Sequence, residues 1–338
     1  MSWTFVGPIL LSGIGQVMNK YAKLFNAKYI TFNDDFQQSD ENNVFAFIIP
    51  QKSNFEGIVK KFNPKIVMTV CETEPVHEDY GLIFDTFPLV LVPSEFCKNV
   101  FLKQFPHAHI EVFRHWAFPL TPPKISNKEH PYTFYTIGNA IDPRKNINML
   151  LRAFVSCEFE NARLVIKATC LKDINLKVPN VLVLNGLMTD EQIDRIHDSC
   201  DCYINCSFSE GVGMGAVEAA LKNKPVIITD YGGLKEYVNT PFIVSTTEAN
   251  VGFYDFLYEP HMKWGNPSFE DLVKHMKFCY KNNIRTWNHE HTVQVTSGSM
   301  LRAKFSNLSL ALTGSPIEIT SLTNNDTHSG AVGDWVFV

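Results

Sequence analysis

Residues 209–236, SEGVGMGAVEAALKNKPVIITDYGGLKE, decide how this chain is read. A strand-like run, 202–208, leads into them. A glycine-rich loop follows, with Gly211, Val212, Gly213, Met214 and Gly215 in succession. Then comes a helix carrying Glu218, Ala219 and Ala220, a break at Lys224 and Pro225, an apolar strand over 226–229 and a turn over 230–233. Strand, glycine loop, helix, strand is the unit that places a ligand at a helix N-terminus beyond the strand ends.

Two carboxylates mark this unit, Glu210 in the loop and Glu218 on the helix, with seven residues between them. Glycines at 211, 213 and 215 let backbone approach a ligand and leave N–H groups to point at it. An anion at that mouth also gains the helix dipole. Glu218, one to two turns into the helix, is placed to accept two ribose hydroxyls, and Glu210 to reach sugar hydroxyls. The bland alternative is a helix-capping Glu followed by a solvated helix Glu; the glycine pattern and flanking strands favour the ligand reading.

The stretch resembles the E-x7-E signature of retaining glycosyltransferases of the large group 1 family, whose fold is GT-B. The matching positions are Ser207, Glu210, Gly211, Gly213, Glu218, Ala219, Pro225, Val226, Asp230, Gly232, Gly233 and Glu236. Asn223 stands where the family usually has Gly, and Gly215 where it often has Pro. The resemblance is specific over about 131–285, general over 1–118, and fades beyond about 305.

Length and composition agree with that frame. The 338 residues suggest about two domains of ordinary size. A net charge of −5 argues against a nucleic-acid binder, which would carry a basic patch. No run of about 18 apolar residues offers a membrane span. The N-terminal run MSWTFVGPILLSGIG has no basic leader and breaks at Gly13, so it reads as a buried strand and loop, not a signal peptide. Eight scattered cysteines then read as free, buried thiols in a reducing compartment, and the expected location is cytoplasmic. Cys202 and Cys206 share one face of a strand; without paired His or Cys ligands nearby, a packed face is the better reading than a zinc site.

In chain order, residues 4–11 read as a strand and Gly13 and Gly15 as the turn into a helix reaching about residue 25. Strands follow at 29–32, 44–49 and 66–71. Glu72, Thr73 and His77 lie just beyond the last of these, at a strand end where α/β sheets place ligands, which makes Glu72 and Thr73 acceptor-side candidates and His77 a catalytic-side one. Another strand, 89–93, precedes Ser94, a natural N-cap. After a strand at 110–113, His115 falls at a hinge mouth, either facing the cleft or packed. Prolines 119, 122 and 123 and the polar residues to 130 make a linker. The expected division is 1–118 acceptor side, 119–130 hinge, 131–295 nucleotide-sugar side and 296–338 an extension.

The second domain opens with a strand at 132–137 and the loop Gly138, Asn139 to Lys145, which resembles the family's G-R-x-x-x-x-K element. Lys145 matches the Lys that neutralises the donor diphosphate, and Asn139 stands where the Arg belongs. Arg144 or Lys167 then has to supply a second cation. Lys167, at the end of a parallel strand over 164–166, is the better candidate, because Pro143 turns Arg144 towards solvent. Gly186, after a strand at 181–184, borders the base in the family. A helix over 189–200 carries a capping box, and Trp264 to Pro267 resembles the entry into a helix ending near residue 280.

The resemblance implies two doubly wound, Rossmann-like domains facing across a cleft. It implies transfer of a hexosyl or related sugar, with retention, from a nucleotide diphosphate sugar to a hydroxyl acceptor, with catalytic roles for Glu210 and Lys145; His77 is added as a catalytic candidate from its place at a strand end. No cofactor is implied: protein cations and N–H dipoles replace a metal, and no D-x-D element offers a metal site. A membrane enters only if the acceptor is lipid-linked. Two alternatives stay open, a non-catalytic nucleotide-sugar or carbohydrate-binding module of the same fold, supported by Asn139, and a dinucleotide-dependent oxidoreductase, for which 33–35 is a loose match to the acidic end of a second strand.

Overall fold

Apolar runs bounded by Gly, Pro and Asn become parallel strands covered on both faces by helices, as such sheets require. The computed structural model describes residues 2–10, 12–39, 42–124, 130–170 and 172–314. The first sheet is built from β1 (Ser2–Gly7), α1 (Gly13–Leu24), β2 (Lys28–Thr31), β3 (Asn42–Phe47), α2 (Lys52–Phe62), β4 (Ile66–Met68), α3 (Tyr80–Thr86), β5 (Val90–Val92), α4 (Glu95–Gln104) and β6 (Ile110–Val112), with strand order β2-β1-β3-β4-β5-β6. The second uses β7 (Tyr132–Gly138), α5 (Ile147–Cys157), β8 (Ala162–Ala168), β9 (Val181–Leu184), α6 (Asp190–Ser199), β10 (Cys202–Asn205), α7 (Met214–Leu221), β11 (Val226–Thr229) and β12 (Ile243–Val244), in the order β12-β11-β10-β7-β8-β9.

Strand order reverses beside β1 in the first sheet and between β7 and β10 in the second. Such switch points leave a crevice beyond the strand C-termini, the usual ligand position in open α/β sheets. Gly138 ends β7 and Asn205 ends β10, so the second crevice opens between the 139–145 loop and the 206–213 loop. Cys202 and Cys206 pack in the same apolar core as Phe134, Leu164 and Met276, and all eight cysteines are unpaired.

The remaining elements are β13 (Thr246–Asn250), β14 (Lys263–Pro267), α8 (Phe269–Lys281), α9 (Glu290–Val295) and α10 (Gly298–Thr313). The helix expected from Trp264 begins later. Residues 263–267 are β14, paired antiparallel with β13, and α8 starts at Phe269 behind the N-cap Ser268. Pro267 explains the difference, since it cannot continue a helix begun before it. The strand expected over 4–11 stops at Gly7, where Pro8 removes a ladder donor. The run expected over 202–208 is strand only to Asn205.

Helix α10 returns to the first sheet. Leu301, Phe305 and Leu308, one helical stripe, pack among Phe5, Phe25 and Phe45. Trp3 meets Phe305 edge-on at 5.0 Å and its indole N–H donates to Ser309. The rest of the expected C-terminal extension, 315–338, and linker residues 125–129 lie outside the described residues. Among those described, no helix is long and apolar enough to cross a membrane.

Candidate active site

Glu210 sits where the second sheet's crevice opens, 5% exposed. Its Oε1 accepts from Lys145 Nζ at 2.5 Å, Ser207 Oγ at 2.8 Å and Asn205 Nδ2 at 3.3 Å. Its Oε2 accepts from Arg144 Nη1 at 3.0 Å. Burial alone would raise this carboxyl, but Lys145 and Arg144 outweigh it and hold it well below the usual carboxylate range. Local sequence explains the convergence. The end of β10 supplies Asn205 and Ser207, and the turn after β7 supplies both cations.

That turn removes the reason for ranking Lys167 above Arg144. Pro143 does not send Arg144 into solvent; it opens a 3-10 turn, Pro143–Lys145, capped by Asp142 accepting from Arg144 N at 2.9 Å. The guanidinium folds inward, buried, and donates to Ser209 O at 2.8 Å as well as to Glu210. Lys167 does end β8 in parallel register with Ile137 of β7. Its Nζ, however, is spent on the carbonyls of Ala168 at 2.5 Å and Gly186 at 2.7 Å. Lys167 therefore ties two loops together, and burial lowers its pKa. Gly186, with φ +82°, presents that carbonyl from a left-handed turn. Asn139 is exposed, and its side chain accepts from Ile141 N at 3.4 Å.

Glu218 lies on α7 and faces the other domain. Its Oε1 is 2.7 Å from Lys20 Nζ on α1, and its Oε2 is 3.8 Å from His197 Nε2. Tyr135 Oη is 2.8 Å from His197 Nδ1, which anchors that imidazole. Burial pushes the Glu218 carboxyl up, yet Lys20 and His197 bring it down to about 2. Lys20 answers in kind: Glu218 raises its pKa despite burial. Nothing near Lys20 in sequence signals this role, because the pairing crosses 198 positions.

Three of the glycines leave room for neighbouring protein groups. At Gly211 a methyl would collide with Val70, and at Gly215 with the Tyr203 hydroxyl. Gly211 thus permits contact between the domains and Gly215 permits α7 to close on β10. Gly213, at φ +75°, is the left-handed turn into α7. Val212 is buried, and Met214 packs between the cores of the two domains. Gly15 meets the carbonyls of Pro8 and Ile9, so α1 could not start there with a side chain; Gly13 has open space on its free side.

From the first domain, Glu72 joins the cluster. Its Oε1 lies 3.1 Å from the same Arg144 Nη1, and its Oε2 accepts from Tyr258 of the β13–β14 loop. Thr73 is buried and donates to Met262 Sδ, so its hydroxyl faces that loop instead of the open crevice. His77 does not join Glu210: Nδ1 is 3.8 Å from Asp79 and Nε2 is 3.7 Å from Glu259. His115 is a packed hinge histidine between Tyr21 and Phe47, pushed down to about 3 by burial and by Lys20. Asp34, the loose dinucleotide match, turns back to accept from Thr31 N at 2.6 Å.

Residues 120–246 match the family described as glycosyl transferases group 1. The fold is GT-B. Sucrose-phosphate synthase of Thermosynechococcus elongatus superposes with a TM-score of 0.62 at 12% identity, covering 93% of this chain and 100% of that one. The pneumococcal O-GlcNAc transferase GtfA, solved with UDP and GlcNAc, superposes with a TM-score of 0.57 at 13% identity, covering 80% of this chain and 57% of that one. In sequence, a chain described as an uncharacterized glycosyltransferase, MJ1178 of Methanocaldococcus jannaschii, is 33% identical over 123 residues, which is 34% of this chain and 34% of that one. That match thus spans about a third of the relative's length.

Proposed function

We propose that this chain transfers a sugar, with retention, from a nucleoside diphosphate sugar to a hydroxyl acceptor. One observation supports it most: Glu210 is buried at the mouth of the second sheet with Arg144 and Lys145 both on it, eight positions before Glu218 on the helix that starts there. Two cations beside a carboxylate suit a ligand that brings both a diphosphate and sugar hydroxyls. The pneumococcal relative of the same fold was solved with UDP, a nucleotide of this class.

In this reading the ribose hydroxyls donate to Glu218 and the sugar hydroxyls to Glu210. Arg144 and Lys145 turn from Glu210 to the diphosphate, and the N-terminal amides of α7 add to that charge stabilisation. The bond from C1 to the diphosphate oxygen breaks while C1 gains the acceptor oxygen on the same face. The acceptor proton leaves with the departing phosphate. Gly211 lies close against Val70 of the first domain, and in this reading that contact helps keep water from the donor and so limits hydrolysis. Glu72 meets Arg144 across the cleft, and in this reading the acceptor lies on the first domain's side, where Glu72 sits.

Incubation with a panel of nucleotide sugars, followed by release of nucleoside diphosphate, tests the proposal. Wild type should turn over at least one donor, in excess chelator as well as without it, and the anomeric proton of the product should keep the donor's configuration. Nucleotide binding without release from any donor would favour a non-catalytic module of the same fold.

A further inference from the structure

Glu236 closes the 209–236 stretch and takes no part in the donor chemistry above. Its carboxylate leaves its own domain. Oε2 accepts the amide of Glu95 at 2.8 Å, and Oε1 that of Phe96 at 2.7 Å. These are the first two amides of α4, which a helix leaves without internal partners. Ser94 caps the third, accepting from Cys97 N at 3.2 Å. The start of α4 is therefore completed only when the other domain is docked on it.

Arg114 holds Glu236 Oε2 from the first domain at 2.6 Å and lies over the ring of Tyr237. Tyr237 Oη donates to Pro93 O at 2.6 Å and accepts from His115 N at 2.9 Å. Behind Glu236, a short path leads to Glu210. Gly233 N donates to Glu210 O at 2.8 Å, and a methyl on Gly233 would strike both Gly211 O and Ser94. Gly232, at φ +90°, lies against the Glu210 backbone.

We propose that Glu236 is a positioning residue that couples docking of α4 to placement of the Glu210 loop. The cap, the ion pair and the glycine contacts all meet within residues 232–237, so a shift of α4 away from Glu236 loosens the backbone that carries Glu210. In water each of these bonds is weak enough to open and reform, so the contact serves as a reversible latch. Its effect on turnover rests on the donor reading above; its effect on structure does not.

Hydrogen exchange and small-angle scattering of the ligand-free chain test the latch without any substrate. In Glu236→Ala the amides of Glu95 and Phe96 should exchange about tenfold faster, as expected for a lost cap. The Gly233 amide should lose protection with them, and the radius of gyration should rise. Glu236→Gln keeps one acceptor oxygen and should show the same changes in smaller measure; it carries the test if Glu236→Ala does not fold. Turnover of the donor should fall in both variants while affinity for UDP stays at the wild-type value. Faster exchange confined to α4, with Gly233 and the scattering unchanged, would reduce Glu236 to a helix cap and overturn the proposal. A parallel loss of UDP affinity would overturn it too. The latch signature in a chain that binds no nucleoside diphosphate would still support the latch while counting against the donor reading.

Discussion

Lys20 Nζ stands 2.7 Å from Glu218 Oε1, with the lysine on α1 of one domain and the carboxylate on α7 of the other. The pair is about four-fifths to three-quarters shielded, with side-chain exposures of 19% and 24%. It joins the domains at the carboxylate proposed to hold the ribose, and it offers that carboxylate a partner when no nucleotide does.

The Glu218 carboxyl titrates at about 2 in the fold, below its ordinary 4.5. A depressed carboxyl contributes stability that is present above the unfolded pKa and lost as pH falls through the folded one. Lys20→Met should therefore destabilise the chain at pH 7 by about 1–2 kcal/mol, allowing for the solvent that reaches the pair. Its deficit relative to wild type should shrink between pH 4.5 and 2. Urea unfolding at pH 7, 4 and 3 reads this directly. A deficit constant across that window would place the stabilisation elsewhere.

Glu210 should matter to the sugar and not to the nucleotide. Glu210→Ala should depress turnover of the complete donor and leave affinity for the bare nucleotide nearly intact. If both affinities fall together, Glu210 is structural, which its contacts with Ser207 and Asn205 would then explain.

Arg144 and Lys167 separate cleanly. Arg144→Met and Lys145→Ala should each cost about 2–4 kcal/mol of transition-state stabilisation, the range for a lost oxyanion donor. Lys167→Met strands the carbonyls of Ala168 and Gly186 and should lower stability by about 1–3 kcal/mol while turnover holds. Asn139→Arg, at an exposed position, should gain little. Equal losses of turnover in Arg144→Met and in a folded Lys167→Met would return the second cation to Lys167.

The legible part of the molecule is the part governed by local pattern. Apolar runs such as 181–184 and 226–229 became strands residue for residue, and the capping box Thr189–Gln192 formed as read. Parallel register of Ile137 with Lys167 followed from the doubly wound order. What stayed hidden depends on side chains meeting across the cleft. Lys20, Arg114 and Tyr258 carry no local mark, because their partners Glu218, Glu236 and Glu72 lie more than a hundred positions away. Arg144 points inward for a local reason: Pro143 suggests a turn into solvent, whereas Asp142 makes it the first residue of a capped 3-10 turn. The 211–215 glycines show the same limit, since a sequence displays the missing side chain but not whether ligand or protein fills its place.

Calorimetric titration with UDP, GDP and ADP in turn, on wild type and Glu218→Gln, tests the central claim most directly. Wild type should bind at least one of them. The variant, which keeps the shape of the site and loses the charged acceptor, should bind more weakly by about 1.5–3 kcal/mol. Equal affinity in the two proteins would contradict the placement of a nucleotide on Glu218, and with it the donor site on the second domain.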